Sequence, residues 1–348
     1  MAEKYNIVVA LQGGGSHGAF AWGVLDRILE DERFVIKGIS GTSAGGMNAA
    51  SAIQGLLQGS RDKAKELLNS YWEKISEMSA KMRMEKFEKT EDLDFLSDTQ
   101  KIFNLENNIY QKLTGSIVEM LSPYQFNPLD KNPLKDFMES FFDFELFRKN
   151  DHHKIFLGAT HVKSGRIKIF SNSDMCADVL LASACLPQLF QTVSVDGEEY
   201  WDGGFIANPA IYPLMSFGIP DILVVQLTKT YCEEIPHSKE EITNRLKEIT
   251  YNGCLVREMR AIHFISKMID DGLIKENALT RFNMHLLKDE SAFKNLTLKS
   301  AMNPHWEFIT ALKAEGRKTA EKWINDYVSK TPEQRQESCL KSFEHFIS

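Results

Sequence analysis

Two apolar runs near the start of the chain each stop abruptly at glycine. YNIVVAL (Tyr5 to Leu11) gives way to QGGGSHG, and FVIKGIS (Phe34 to Ser40) gives way to GTSAGG. Each run is short, apolar and glycine-bounded, the pattern of a strand buried on both faces. Each turn then opens into a helical pattern. Ser16 to Glu30 carries Ala19, Phe20, Val24, Leu25, Ile28 and Leu29 along one stripe, and Ala44 to Leu57 follows the second turn. Buried strands joined through helices by tight turns predict an α/β fold with a mostly parallel, helix-covered sheet.

Further strands follow at HKIFLGATHV and GRIKIFS, a pair joined by Lys163 and Ser164, and at PDILVVQL (Pro220 to Leu227). VLLASACLP reads as a short helix stopped by proline, and EEYWDGGF as a strand end with a glycine turn. Asp62 to Glu88 has helical spacing, and Thr90 to Lys149 is helical and aromatic. After Thr228 no strong strand run is evident, so the remainder is expected to be helical. The implied organisation is a catalytic domain over 5–228, with a helical insertion over 60–150, and a helical region over 229–348 packed on that core.

A net charge of -7 argues against nucleic acid as a partner. The five cysteines are odd in number and form no C-x-x-C pair, which fits a reducing compartment. No metal-ligand spacing is present. The N-terminus lacks the pattern of a signal peptide, and no apolar run is long enough to span a bilayer, so a cytoplasmic location is expected, with contact at membranes only peripheral. Secretion without such a signal stays open.

The chemistry begins at GTSAGG. Gly41-Thr42-Ser43-Ala44-Gly45 is a G-x-S-x-G between a strand and a helix, the context in which a serine hydroxyl is presented by a sharp turn. The alternative is a serine that merely caps the helix. The first glycine cluster, Gly13, Gly14, Gly15 and Gly18, could cradle a dinucleotide. That reading needs an acidic residue at the end of the second strand, and Asp31 and Glu32 fall before that strand instead. An oxyanion hole needs only backbone N–H groups beside the nucleophile. Neighbouring parallel strands would bring the Gly13–Gly15 turn to Ser43. For the base, His237, His263, His285 and His305 formally allow a triad, but none sits in a glycine-bounded strand-end turn. Asp202, followed by Gly203 and Gly204, is the sharper candidate, against the plain reading of an Asp-Gly turn.

Taken in order, GGGSHG, GTSAGG and DGG resemble the patatin-like phospholipase family. The resemblance implies a three-layer α/β/α core with Ser43 as nucleophile and Asp202 as general base, a dyad without histidine. It also implies oxyanion N–H groups from Gly13, Gly14 and Gly15, with Gly18, Gly41, Gly45, Gly203 and Gly204 as the glycines of the motifs. LASACLP resembles the small-residue block that closes the family's site. SPYQFNPLDKNPLKDF, REMRAI and WEFITALKAEGRKTAEKWI resemble a bacterial branch. Many members carry arginine where this chain has His17, which weakens the positive field at the loop unless a hydrogen bond gives it another task.

The implied activity is hydrolysis of glycerophospholipids or related acyl lipids through an acyl-enzyme, with no metal or organic cofactor. A non-lipid esterase or an acyltransferase would use the same dyad. From other classes, a nucleotide-binding regulatory module could use the Gly13–Gly18 loop, and an inactive scaffold could keep the fold alone. KMRMEKFEK and FMESFFDFELF mix apolar and charged residues. They read either as helices packed on the sheet or as a lid that meets lipid.

Overall fold

The computed structural model describes residues 3–88, 122–126, 132–150, 152–275, 278–293 and 296–347. Its strands are β1 (Tyr5–Leu11), β2 (Phe34–Gly41), β3 (Lys154–His161), β4 (Ile167–Phe170), β5 (Val193–Val195), β6 (Glu198–Asp202), β7 (Asp221–Val225) and β8 (Asn283–Leu287). The helices begin with α1 (Ala19–Glu30), α2 (Ala44–Leu57), α3 (Arg61–Glu88), α4 (Pro123–Phe126), α5 (Pro133–Phe141) and α6 (Phe144–Arg148). They continue with α7 (Ala177–Ser183), α8 (Tyr212–Met215), α9 (Lys239–Asp270), α10 (Leu298–Ala301), α11 (Trp306–Ser329) and α12 (Pro332–Ile347).

These strands form one sheet in which β3-β2-β1-β7-β8 run side by side, the β5-β6 hairpin pairs β3 beyond the end of β2, and β4 pairs the other edge of β3. The β3-β2-β1-β7-β8 run is parallel, and β4, β5 and β6 pair antiparallel. Alternation along β1 builds two cores. Ile7, Val9 and Leu11 face α1, α2 and α11, while Val8 and Ala10 face Leu255, Met259 and Ile262 of α9. The sheet is thus the middle of three layers.

Two strands depart from the sequence expectation. β8 lies beyond Thr228 and extends the sheet beside β7, from Asp221 opposite Asn283 to Val225 opposite Leu287. It is a five-residue edge strand, NMHLL, interrupted by His285, and so lacks the apolar length that marks β1. α9 is the crossover that a parallel pairing requires. β5 and β6 form a hairpin across Asp196 and Gly197, both at positive φ (52° and 80°), the Asp-Gly turn suited to a tight hairpin.

The FMESFFDFELF stretch packs as ordinary helices. Phe137, Met138, Phe142 and Phe147 are buried, and Phe137 stacks on Tyr71 of α3 at 6.0 Å. The side chains of Met82, Met84 and Phe87 in KMRMEKFEK lie outside the described residues, as does most of 90–131. Among the described residues no helix is long and apolar enough to cross a membrane, and no group of three or more His, Cys, Asp or Glu could hold a metal ion.

α11 crosses α1 directly behind the first glycine loop. A Cβ on Gly316 would fall 2.0 Å from the Phe20 carbonyl oxygen, and one on Gly23 would fall 2.0 Å from that of Lys313. Gly316→Ala is therefore expected to force the helices apart at a cost of about 1–3 kcal/mol, read as a lower unfolding midpoint.

Candidate active site

The site forms where β1 and β2 end. They run parallel with Leu11 opposite Gly41, so their two glycine turns emerge side by side. At the second turn Ser43 adopts φ 52° and ψ -126°, a conformation unusual for any residue but glycine. This is the sharp strand-to-helix bend that lifts a serine out of the sheet. The bend is tied down locally. Gly45 N–H donates to the Thr42 carbonyl at 2.8 Å, and Met47 N–H donates to that of Ser43 at 3.0 Å. Ser43 N–H donates to Ser183 Oγ at 3.1 Å, and Ser183 in turn donates to the Gly158 carbonyl at 2.8 Å. Ser183 belongs to the LASACLP block, which therefore holds the backbone of the bend.

Asp202 arrives from the opposite direction. β2 and β6 lie on the same edge of β3, because β4 occupies the other. Gly41 stands opposite Leu157, and Asp202 stands opposite Ala159. The C-terminal ends of β2 and β6 thus meet head-on, two residues apart along β3, or about 7 Å. The Asp202 side chain comes within hydrogen-bonding reach of the Ser43 hydroxyl. It is only 1% exposed and also accepts from Gly204 N–H at 2.6 Å. Burial pushes its pKa up to about 6. The Gly204 and Ser43 hydrogen bonds and the field of Lys247 oppose that rise.

The first glycine turn lies against this pair. A Cβ on Gly13 would meet the Thr42 carbonyl oxygen at 2.7 Å and Ser43 Cβ at 2.8 Å, so only glycine permits the approach. Gly13 N–H is already engaged, donating to Asn208 Oδ1 at 2.6 Å. Among the described residues the amides of Gly14 and Gly15 have no protein acceptor. They open the 3₁₀ turn Gly15–Gly18 that leads into α1, a position favouring negative charge. Gly41 packs on Gly45 and Gly203 on the Gly158 carbonyl, backbone to backbone, and Gly18 packs on the Ala44 side chain. Gly204 packs on the Asp202 carboxylate.

His17 does not supply the cation that arginine would. It is buried beside Phe293 and Phe308, and its Nε2 is 2.8 Å from Ser300 Oγ. Burial, aided by Lys247, lowers its pKa to about 4, so it is neutral at pH 7 and ties the loop to α10. Of the late histidines, His285 is bound to Asp221 at 2.8 Å and to Cys339 at 3.4 Å, and does not serve Ser43.

Other residues were given no role by the sequence and yet brace the surroundings of the site. Gln12 is fully buried. Its Oε1 accepts from Leu227 and Thr228, and its Nε2 donates to Asn208 and Asn252, knitting β1, β7 and α9 together. Glu258, in REMRAI, accepts from Ile211 and Tyr212 N–H at 2.7 and 2.9 Å. The five cysteines are all free thiols.

A parallel-centred α/β sheet, a strained serine bend at a strand end and a glycine loop at a helix start together define an α/β protein whose two glycine turns meet at one end of the sheet. The chain belongs to the patatin-like phospholipase family, whose sequence model matches residues 9–215. No curated protein matches it. Among solved structures, VipD from Legionella pneumophila is 15% identical, with a TM-score of 0.41 over 93% of this chain and 67% of that one. The complex of full-length SpcU with full-length ExoU, from the type III secretion system of Pseudomonas aeruginosa, also gives 15% identity. Its TM-score is 0.26 over 92% of this chain and 70% of that chain.

Proposed function

We propose that the chain is a phospholipase A-like lipid acyl hydrolase acting through a Ser43–Asp202 dyad on carboxylic esters of glycerophospholipids or related acyl lipids. The reading is carried by one observation: the buried Asp202 carboxylate at the end of β6 stands head-on to the strained Ser43 bend at the end of β2. Asp202 takes the Ser43 proton as the hydroxyl attacks the ester carbonyl. The Gly14 and Gly15 amides hold the oxyanion, a contribution of several kcal/mol in sites of this kind. Collapse expels the alcohol, which takes the proton from Asp202, and water then frees the acyl group by the reverse route. The catalytic motifs of this reading lie within 5–228, while the 229–348 region adds β8 to the same sheet and α9 to the wall of the cleft. The protein would meet its lipid peripherally at a bilayer surface.

A carboxylate acts as a base only when ionised. Fatty-acid release from mixed phospholipid vesicles is therefore expected to rise with pH, with kcat/KM inflecting near pH 6 and levelling above it. A profile flat across that inflection, or no fatty-acid release from any phospholipid, would remove the reading.

A further inference from the structure

A small cleft of about 70 Å³ opens beside the glycine loop. Gly13, Gly14 and His17 line one wall, and Lys247 and Tyr251 of α9 line the other. It adjoins a larger cleft of about 560 Å³ through Leu227, Thr228, Lys229, Glu248 and Phe293, which together form a route from the loop toward the surface.

α9 is fixed over this loop. Asn252 accepts from Gln12 at 3.1 Å and donates to the Lys229 carbonyl at 2.7 Å. One residue earlier, Tyr251 packs on the Asp202 corner, since a Cβ on Gly204 would meet its ring at 3.0 Å. Lys247 sits on the same face, its Nζ 4.9 Å from the Tyr251 ring centroid. Its field lowers the pKa of both Asp202 and His17, so its charge reaches both sides of the glycine loop. Burial holds the ammonium itself below the usual lysine range, and among the described residues no carboxylate forms an ion pair with it. Its neighbour Glu248 is engaged by Arg245 at 3.0 Å.

A partly buried cation on the wall of this cleft, over an aromatic ring, is placed to receive an anion. In a glycerophospholipid the phosphate sits on the same glycerol as the ester. We propose that Lys247 is the specificity-determining residue of this site, binding the phosphodiester of the lipid whose ester is presented to Ser43. The assignment rests on the reading of the chain as a phospholipid hydrolase. It also accounts for how the loop dispenses with arginine at His17: the cation comes from α9, across the cleft.

The test separates binding from turnover. In a Ser43→Ala background, titration calorimetry compares monomeric dihexanoylphosphatidylcholine with dihexanoylglycerol, which lacks the phosphate. A preference of about tenfold or more for the phospholipid is expected, the effect of one charge-assisted contact. Lys247→Met is expected to erase it and Lys247→Arg to restore most of it, with each variant's unfolding midpoint confirming its fold. A preference that survives Lys247→Met, or none in the parent, overturns the assignment. So does inorganic phosphate binding at Lys247 as tightly as the lipid, since that would mark a phosphate-ion site. A shift of the pH profile in Lys247→Met without a change in lipid preference would make the residue a tuner of Asp202 and overturn it equally. If the preference depends on Lys247 but the wild type releases no fatty acid, the hydrolase reading falls while the lipid-phosphate site stands.

Discussion

Ser43→Ala is expected to lose fatty-acid release by about 10⁴-fold or more, because under the proposed mechanism the variant has no nucleophile to form the acyl-enzyme. Its fold should be retained. The contacts that hold the bend come from the backbone of Ser43, through its N–H to Ser183 and its carbonyl to Met47. Alanine supports both of them. It also keeps a Cβ at φ 52°, so the strain of the bend persists. Ser43→Gly is equally inactive but relieves that strain, and should unfold at higher temperature than wild type by an amount corresponding to about 1–3 kcal/mol. Two dead variants that differ in stability in this direction would identify the bend as backbone strain maintained for the hydroxyl. Activity remaining in Ser43→Ala would place the nucleophile elsewhere. A fluorophosphonate probe, followed by peptide mapping, gives the covalent counterpart: a label on Ser43 in the wild type and none in either variant.

How much of this was legible in the sequence depended on how local the signal was. YNIVVAL is a strand with the same bounds in the structure, because a short run with six apolar residues of seven, stopped just before a glycine cluster, leaves few alternatives. The adjacency of the two glycine turns was legible for a similar reason: consecutive strand–helix units of a parallel sheet place their C-terminal ends together. β8 was not legible, since five residues broken by His285 gain their strand character only from pairing with β7. The Asp196–Gly197 hairpin was written locally in its turn residues and was overlooked beside the more conspicuous DGG that follows.

The site divides in the same way. Ser43 and Asp202 were singled out by their glycine surroundings, but their meeting is a property of β3, which aligns the ends of β2 and β6 from opposite directions. No local pattern encodes that. Nor does any pattern reveal that Asn208 occupies the Gly13 amide, leaving Gly14 and Gly15 as the free donors. Gln12, Ser183, Asn208 and Lys247 all act through partners distant in sequence. His17 did carry a signal, as an unexpected residue in a familiar loop, and its hydrogen bond to Ser300 supplies the reason it is tolerated.

Asp202→Asn is expected to move activity and stability in opposite directions. Activity should fall by about 10³-fold or more, because a neutral amide cannot accept the Ser43 proton. Stability follows from the shifted ionisation. The Asp202 carboxyl titrates near 6 in the folded chain against 3.8 for the free side chain, because burial disfavours its charge. Between those values the folded state holds the proton more tightly than the unfolded state does, so stability declines as pH rises through this window. The penalty is absent below the lower value and complete above the higher one, on the order of 3 kcal/mol. Asparagine carries no charge and still presents an oxygen to the Gly204 N–H, so the variant avoids the penalty. Melting curves of the two proteins should nearly coincide around pH 4 and separate progressively to about pH 8, with Asp202→Asn the higher. An inactive variant that is also less stable at about pH 8 would mean that the ionised carboxylate supports the fold. A variant that stays active would return the base to a histidine. The expected pattern, inactivity with added stability that grows with pH, is what a carboxylate kept ionised against its surroundings for the sake of Ser43 must produce.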